Sequence, residues 1–354
     1  MSYIPSTNVQ CERIQKSLDA MFTDCTNPLD PMPGMEAILA FQDMSGIAQE
    51  VYDGNGKVKT IRVTYDQRLL ESSITEVSGA RTCTATTERN NEYTDYTIDT
   101  TRALKGEAFF KGSDLATVCT ETVESMIIKK LNQILDAMER AAATRHMVEL
   151  VGLAGNWSST TATGSTPGTV NGSDELILQQ FTVTATKQID YTSMSELDLA
   201  IQQAGYCGPA IIIGGKMGYQ YGQFVNHGCC STSGVNVVDL ATSIGSAIFY
   251  DKRVKAALNS DAKSLVFQAG SVALLYYNEF SQTPLAGSDY VKRIFFTPRL
   301  SLPVDVTIKD DCGNFSIVAY MNTKLVGLPT DMFATGDEHE GQTFVNKIKW
   351  ENPA

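Results

Sequence analysis

The chain has 354 residues, enough for about two domains, and sets 28 Lys and Arg against 40 Asp and Glu for a formal net charge of −12. That acidic balance excludes a basic nucleic-acid clamp, and three histidines leave few groups that titrate near neutrality. A hydrophobic fraction of 43% with 19% charged residues excludes a disordered or collagen-like chain.

The opening Met1-Ser-Tyr-Ile-Pro-Ser-Thr-Asn-Val-Gln10 lacks the basic stretch and unbroken apolar run of a secretion signal, so nothing directs export. The longest apolar runs, 272–277 and 317–321, fall far short of the ~20 residues that cross a bilayer, and no membrane partner is expected. Residues 1–35 read as a mixed arm in which 11–21 form a short helix, stopped by the Pro28, Pro31, Pro33 and Gly34 cluster. Thr, Tyr, Val and Arg then alternate. Val58-Lys-Thr-Ile-Arg-Val-Thr-Tyr65 and Tyr93-Thr-Asp-Tyr-Thr-Ile-Asp99 predict two strands bracketing a polar tip, a long ribbon without a core of its own.

Residues 113–151 contain neither Gly nor Pro, and Ser113 before Asp114 is a good N-cap, so one long helix is predicted, about 58 Å at 1.5 Å per residue. Ile127, Leu131, Ile134, Leu135, Met138 and Ala142 recur at three and four as the buried stripe. Lys130, Asp136, Glu139 and Arg140 take other faces, with Asp136 and Arg140 one turn apart. The Ser, Thr and Gly of 156–173 predict an exposed loop; its Asn156-Trp-Ser158 and Asn171-Gly-Ser173 matches to glycosylation acceptors mean little without export. Ser193-Met-Ser-Glu196 is a capping box for a helix over 197–204, followed by a buried strand at Pro209-Ala-Ile-Ile-Ile-Gly214 and a second helix from Gly214-Gly-Lys-Met-Gly-Tyr219. Tyr250-Asp-Lys-Arg-Val254 reads as a turn leading to the apolar 264–267, and 270–277 as a helix. Strands return over 290–330, with Asp310-Asp-Cys-Gly313 turning 304–308 back onto 314–320, before a polar tail from Thr335.

Chemistry is sought and mostly not found. The loop at Gly214 lacks the P-loop pattern, since Ala210 stands six residues before Lys216 and Met217 follows it. The eight cysteines show no two-residue gap of a zinc or redox motif, and mostly buried free thiols are expected. Asn226-His-Gly-Cys-Cys230 with Cys207 is the one place where His and Cys gather, yet adjacent cysteines suit tetrahedral zinc poorly; a half-buried loop is the simpler reading, with a redox role for Cys229 and Cys230 the alternative. His146 reads as a satisfied or surface histidine, and His339 as part of a solvated acidic tail. No Gly-x-Ser-x-Gly elbow is present, and the acid pairs Asp310 with Asp311 and Asp337 with Glu338 sit in a turn and a tail. No catalytic residue, metal or cofactor is assigned. Lys57, Lys59, Arg62, Arg68, Arg81 and Arg89 gather in the ribbon beside Glu71, Glu76, Glu88 and Asp95, either as a solvated face or as an assembly surface paired with acids of a neighbouring copy.

A polar arm, a long ribbon over 58–98, a long helix over 113–151, a small α/β region over 193–228 and closing strands over 250–332, in that order, resemble the major capsid proteins of tailed bacteriophages, the HK97-like fold. The resemblance implies an α+β fold with an N-terminal arm (1–45), an extended E-loop (46–110), a spine helix with the first part of a peripheral domain (111–185), an α/β axial domain (186–248), returning peripheral strands and helix (249–334) and a C-terminal tail (335–354). It implies a subunit that self-assembles as hexamers and pentamers into an icosahedral virion shell in the host cytoplasm, enclosing double-stranded DNA without sequence-specific binding, with scaffolding, portal and decoration proteins as partners. Some members link an E-loop Lys to a peripheral Asn with a Glu assisting; Lys57 or Lys59 compares, but no Asn or Glu matches, so no catalytic residue is carried over. The arm is too short for a fused scaffold, which implies a separate scaffold or a trimmed product. An encapsulin-like shell around cargo proteins and an α/β enzyme remain the other readings.

Overall fold

The computed structural model describes residues 30–42, 48–52, 58–65, 74, 92–112, 123–156, 180–182, 209–214, 247–261, 263–280, 285–286, 290–329 and 344–351. In chain order the elements are helix α1 (Pro33–Phe41); strands β1 (Ala48–Tyr52), β2 (Val58–Tyr65), β3 (Glu92–Thr97) and β4 (Leu104–Lys111); helix α2 (Val123–Leu153); strands β5 (Gly155–Asn156), β6 (Gln180–Thr182), β7 (Ala210–Gly214) and β8 (Ala247–Tyr250); helix α3 (Lys252–Leu258); and strands β9 (Lys263–Gln268), β10 (Val272–Tyr277), β11 (Leu285–Ala286), β12 (Tyr290–Phe296), β13 (Pro303–Asp311), β14 (Asn314–Gly327) and β15 (Val345–Glu351). They fall into two compact units, Met1–Met32 with Asp99–Ala142 and Tyr276–Thr323, and Pro33–Ile98 with Ala143–Leu275 and Lys324–Ala354.

In the first unit, β4 pairs antiparallel with β14, β14 with β13, and β13 with β12. The β13–β14 hairpin closes as read from sequence, with Asp311 opposite Asn314 and a two-residue turn at Cys312 and Gly313. Both turn residues have positive φ, 51° and 86°, the twist-matched geometry in which Gly at the second position removes strain. The predicted stripe of α2 is buried at Leu131, Ile134, Leu135, Met138 and Ala142. Strand β4 lies so close to this helix that a Cβ on Gly106 would stand 2.6 Å from Ile134 Cγ2 and 3.1 Å from Met138 Sδ. Phe110 and Phe315 stack with ring centroids 5.2 Å apart. Glu139 corrects the sequence reading: placed on another face than the buried stripe, it is itself fully buried, and its Oε1 accepts from the Arg299 and Leu300 N–H groups at 3.1 and 2.5 Å. Arg140 pairs with Asp136 at 2.9 Å, one turn apart as expected.

The second unit is built on a sheet of order β5-β15-β9-β7-β8, with β6 also against β15. The predicted strand at 210–214 is β7, buried throughout, parallel to β8 and antiparallel to β9. Four expectations are corrected. Residues 272–277 form strand β10, not a helix; a short apolar run of Val, Ala, Leu and Tyr has no periodicity that separates the two, and its burial on both faces suits a strand. The tail from 335 contains β15, with Val345 and Ile348 buried against β9. The Pro and Gly cluster at 28–34 opens helix α1 instead of only closing one, because Pro33 occupies the first helical position, where its missing N–H costs nothing. The turn at 250–254 is the start of α3, capped by Asp251, whose Oδ1 accepts from the Arg253 N–H at 2.9 Å while Oδ2 accepts from the Gly34 N–H at 3.1 Å. The helices read over 11–21, 197–204 and after 214 lie outside the described residues.

Gly106→Ala is expected to destabilise the protein by about 1–3 kcal/mol in urea unfolding, because Ile134 and Met138 must shift. Gly152→Ala, at an exposed helical position with no atom within 4 Å of the new Cβ, is expected to stabilise by up to about 1 kcal/mol. Equal effects of the two would refute the close approach of β4 to α2.

Candidate functional site

The ribbon is a three-stranded antiparallel sheet of order β1-β2-β3, so β1 joins the two strands read from sequence. Thr60 pairs with Thr97 at one end and Tyr65 with Glu92 at the other, so residues 66–91 leave and re-enter the sheet side by side. The predicted ribbon runs to 110, of which Leu104–Lys111 is β4, paired with β14.

Alternation divides the ribbon into two faces. Val63 and Tyr65 are buried, whereas Tyr93 on the opposite face is 56% exposed. Beside it, Arg62 donates from Nε to Asp95 Oδ1 at 2.7 Å and from NH2 to Oδ2 at 2.8 Å, and its guanidinium lies 4.1 Å from the centre of the Tyr93 ring. The Arg62 hydrogen bond holds the Asp95 carboxyl below its usual range. Asp95 opposes Arg62 in register, so this is a cross-strand pair fixed by the ladder itself.

The root of the ribbon is tied to the end of β14 within the second unit. Tyr96 donates its hydroxyl to the Gly327 carbonyl at 2.6 Å, and Lys324 Nζ donates to the Thr97 carbonyl at 3.2 Å. That stretch of β14 is held in turn by α2, where Glu149 Oε2 accepts from the Leu325 N–H at 3.0 Å and from His146 Nδ1 at 2.8 Å, and Oε1 accepts from Arg145 Nε at 2.9 Å. Burial pushes the Glu149 carboxyl up, but the hydrogen bonds from His146, the Leu325 N–H and Arg145 outweigh it and bring the group from an ordinary 4.5 to about 2. His146 is fully buried in this pairing, a satisfied histidine; a carboxylate only accepts, so the ring nitrogen facing Glu149 carries a hydrogen.

Of the basic ribbon residues, Arg62 is in the cross-strand pair and Lys59 lies in β2. Lys57, Arg68, Arg81 and Arg89 lie outside the described residues, as do Glu71, Glu76 and Glu88, the gathering at Cys207, His227, Cys229 and Cys230, and His339. Cys312 is a free, exposed thiol, and the other seven cysteines lie outside the described residues. Asp310 holds its turn by accepting from the Gly313 N–H at 2.9 Å. Among the described residues no group of three or more His, Cys, Asp or Glu could hold a metal, and no helix is long and apolar enough to cross a membrane. Sequence reasoning missed Glu149, Lys324 and Tyr96 as the anchor; their partners are remote in the chain, so no local pattern marks them.

No protein-family model matches the chain, and no curated protein matches it in sequence. Solved structures similar to it include chains of phage capsids. They include a chain of the capsid of Ralstonia phage GP4 at 9% identity, covering 84% of this chain and 85% of that one with a TM-score of 0.46. A chain of the mature capsid of bacteriophage PhiM1 is similar at 13% identity, covering 88% of each chain with a TM-score of 0.41. A chain from Mycobacterium phage Che8 is similar at 13% identity over 85% of this chain and 91% of that one, with a TM-score of 0.39. Identities of this size leave every residue's role to the chemistry of this chain.

The Glu149 carboxyl lies lower when folded than when unfolded, so its contribution is present in full above about 4.5 and is lost as pH falls toward about 2. Glu149→Gln keeps an acceptor for the Leu325 N–H but removes the charge. It is expected to unfold more easily at pH 7 by on the order of 2 kcal/mol, with the gap to the parent protein closing between pH 4.5 and 2. A gap independent of pH would refute the anchor's charged character.

Proposed function

We propose that this chain, like the capsid structures it is similar to, builds a closed shell: it is the major capsid protein of a tailed phage, a structural subunit with no enzymatic role. In this reading, copies assemble in the host cytoplasm as hexamers and pentamers of an icosahedral virion shell around double-stranded DNA, which the acidic chain does not grip. Scaffolding and portal proteins take part in assembly, and decoration proteins are further candidates for binding the finished shell. The basic residues Lys57, Lys59, Arg62, Arg68, Arg81 and Arg89 belong to the arm that reaches over a neighbouring copy, and 1–45, 111–185, 186–248 and 249–334 serve as N-terminal arm, spine, axial and peripheral parts.

The observation that carries this reading is the anchored ribbon. Tyr65 opposes Glu92, so residues 66–91 start and finish together at one end of the β2–β3 pair, whose other end is held by Tyr96 and Lys324. A tight hairpin needs two to five residues to reverse direction; an excursion this long from a fixed root is suited to reach something beyond it. The 31 residues of α2, about 46 Å at 1.5 Å per residue, supply a rigid strut well beyond the usual three turns.

Deleting residues 67–91 is expected to leave a subunit with the parent's circular dichroism and melting temperature that forms no closed particles in negative-stain images. Shells of normal yield from that variant would count against the arm. Particles of the intact chain that enclose protein and no DNA would favour the encapsulin-like reading.

A further inference from the structure

The sheet of the first unit has a solvent-facing side that the shell reading leaves unassigned. The pairing of β4, β14, β13 and β12 places Phe109, Ser316, Lys309 and Tyr290 in one row across four strands. Lys111 begins the next row, and Lys292 stands one row to the other side, opposite Thr307. Large apolar area is open here: Phe109 is 62% exposed, Tyr320 41% and Tyr290 36%. Lys105 on this side is already paired with Glu107. Lys292 lies 5.5 Å from the ring centres of Phe280 and Tyr290, held over aromatic faces. Lys111 and Lys309 make no ion pair with any described residue. The side carries Lys105, Lys111, Lys292 and Lys309 against Glu107 and Asp311, a local basic excess in a chain where acids outnumber bases 40 to 28.

We propose that this sheet face, centred on Phe109, Lys111, Lys309 and Tyr290, is a docking surface for an acidic patch of a second copy of the chain. The proposal rests on the shell-forming function and names one of its contacts. Charge complementarity selects the occupant, because a chain of net charge −12 presents carboxylates on any second copy. Exposed Phe and Tyr between the lysines supply the aromatic centre that protein interfaces use.

The test is sedimentation velocity of the full chain at rising sodium chloride, comparing the parent with a Lys111→Glu, Lys309→Glu double variant and, separately, with Phe109→Ser. Phe109, Lys111 and Lys309 are exposed, so circular dichroism melts are expected to coincide with the parent's. The parent's association is expected to weaken as salt rises. The double variant is expected to associate roughly tenfold more weakly at low salt and to lose most of the salt dependence, and Phe109→Ser to associate more weakly at every salt concentration. Association equal to the parent's in both variants overturns this face while leaving the shell reading in place. A parent chain that stays monomeric at all salts and concentrations overturns both. Binding of a single-stranded oligonucleotide that the double variant abolishes, with self-association unchanged, overturns the proposal in favour of nucleic acid.

Discussion

Buried carboxylates that grip backbone N–H groups set the positions on which the rest of the structure depends. Glu139 takes two successive amides at Arg299 and Leu300, Asp305 takes those of Glu279 and Phe280 at 2.7 and 3.2 Å, and Asp251 takes Gly34 and Arg253. Half-buried Glu149 takes Leu325. A carboxylate removed from water needs replacement donors, and an amide in a turn or in the first turn of a helix lacks a ladder or helical partner, so the contacts of Glu139, Asp305 and Asp251 each resolve two deficits at once. Hydrogen bonds to a charged acceptor contribute about 1.5–3 kcal/mol each, well above neutral ones. Truncating the carboxylate would leave two amides unmet as well as an empty space, which ties loop position to these side chains more tightly than apolar contact could.

That constraint explains how a ribbon of little apolar content keeps a defined root. Its strands bury Val63 and Tyr65 on one side only, and two or three strands with so little covered surface are marginal alone. The missing order comes from polar contacts in series: Glu149 on α2 fixes Leu325, and the neighbouring Lys324 and Gly327 hold Thr97 and Tyr96. Such contacts are directional where hydrophobic burial is not. A root defined by direction is what an arm requires if it is to deliver distant residues to a repeatable place.

The parts legible in the sequence are those whose signal is local. The stripe of α2, the buried 210–214 strand, the alternation at 58–65 and the Asp-Cys-Gly turn at 311–313 each follow from periodicity or turn chemistry within a few residues. Asp251 before Lys-Arg-Val carries a local cap signal as well, but the segment reads as a turn from sequence alone. Strand β15 was hidden because it sits next to an acidic run and owes its burial to β9, about eighty positions earlier in the chain. Glu139 was hidden for a stronger reason: helical spacing places it on one side of α2, but only the fold brings the 299–300 turn there, across a separation of 160 residues. Periodicity assigns faces and cannot say what will cover them, so a charged residue on a covered face reads as solvated until its partners are known.

The same distinction separates the two sets of cations as sources of assembly energy. Arg62 is already satisfied by both oxygens of Asp95 and by the Tyr93 ring. Exchanging that pair for a carboxylate on another copy would break as much as it makes, and its exposed setting leaves little net gain in either direction. Its effect is to stiffen the ribbon and hold Tyr93 outward. Lys111 and Lys309 make no ion pair with a carboxylate among the described residues, so a partner's acid adds an interaction instead of replacing one. Between a basic residue that is paired across its own ladder and one that is not, contact with a second copy would draw mainly on the latter, even though the former lies in the ribbon where six basic residues gather.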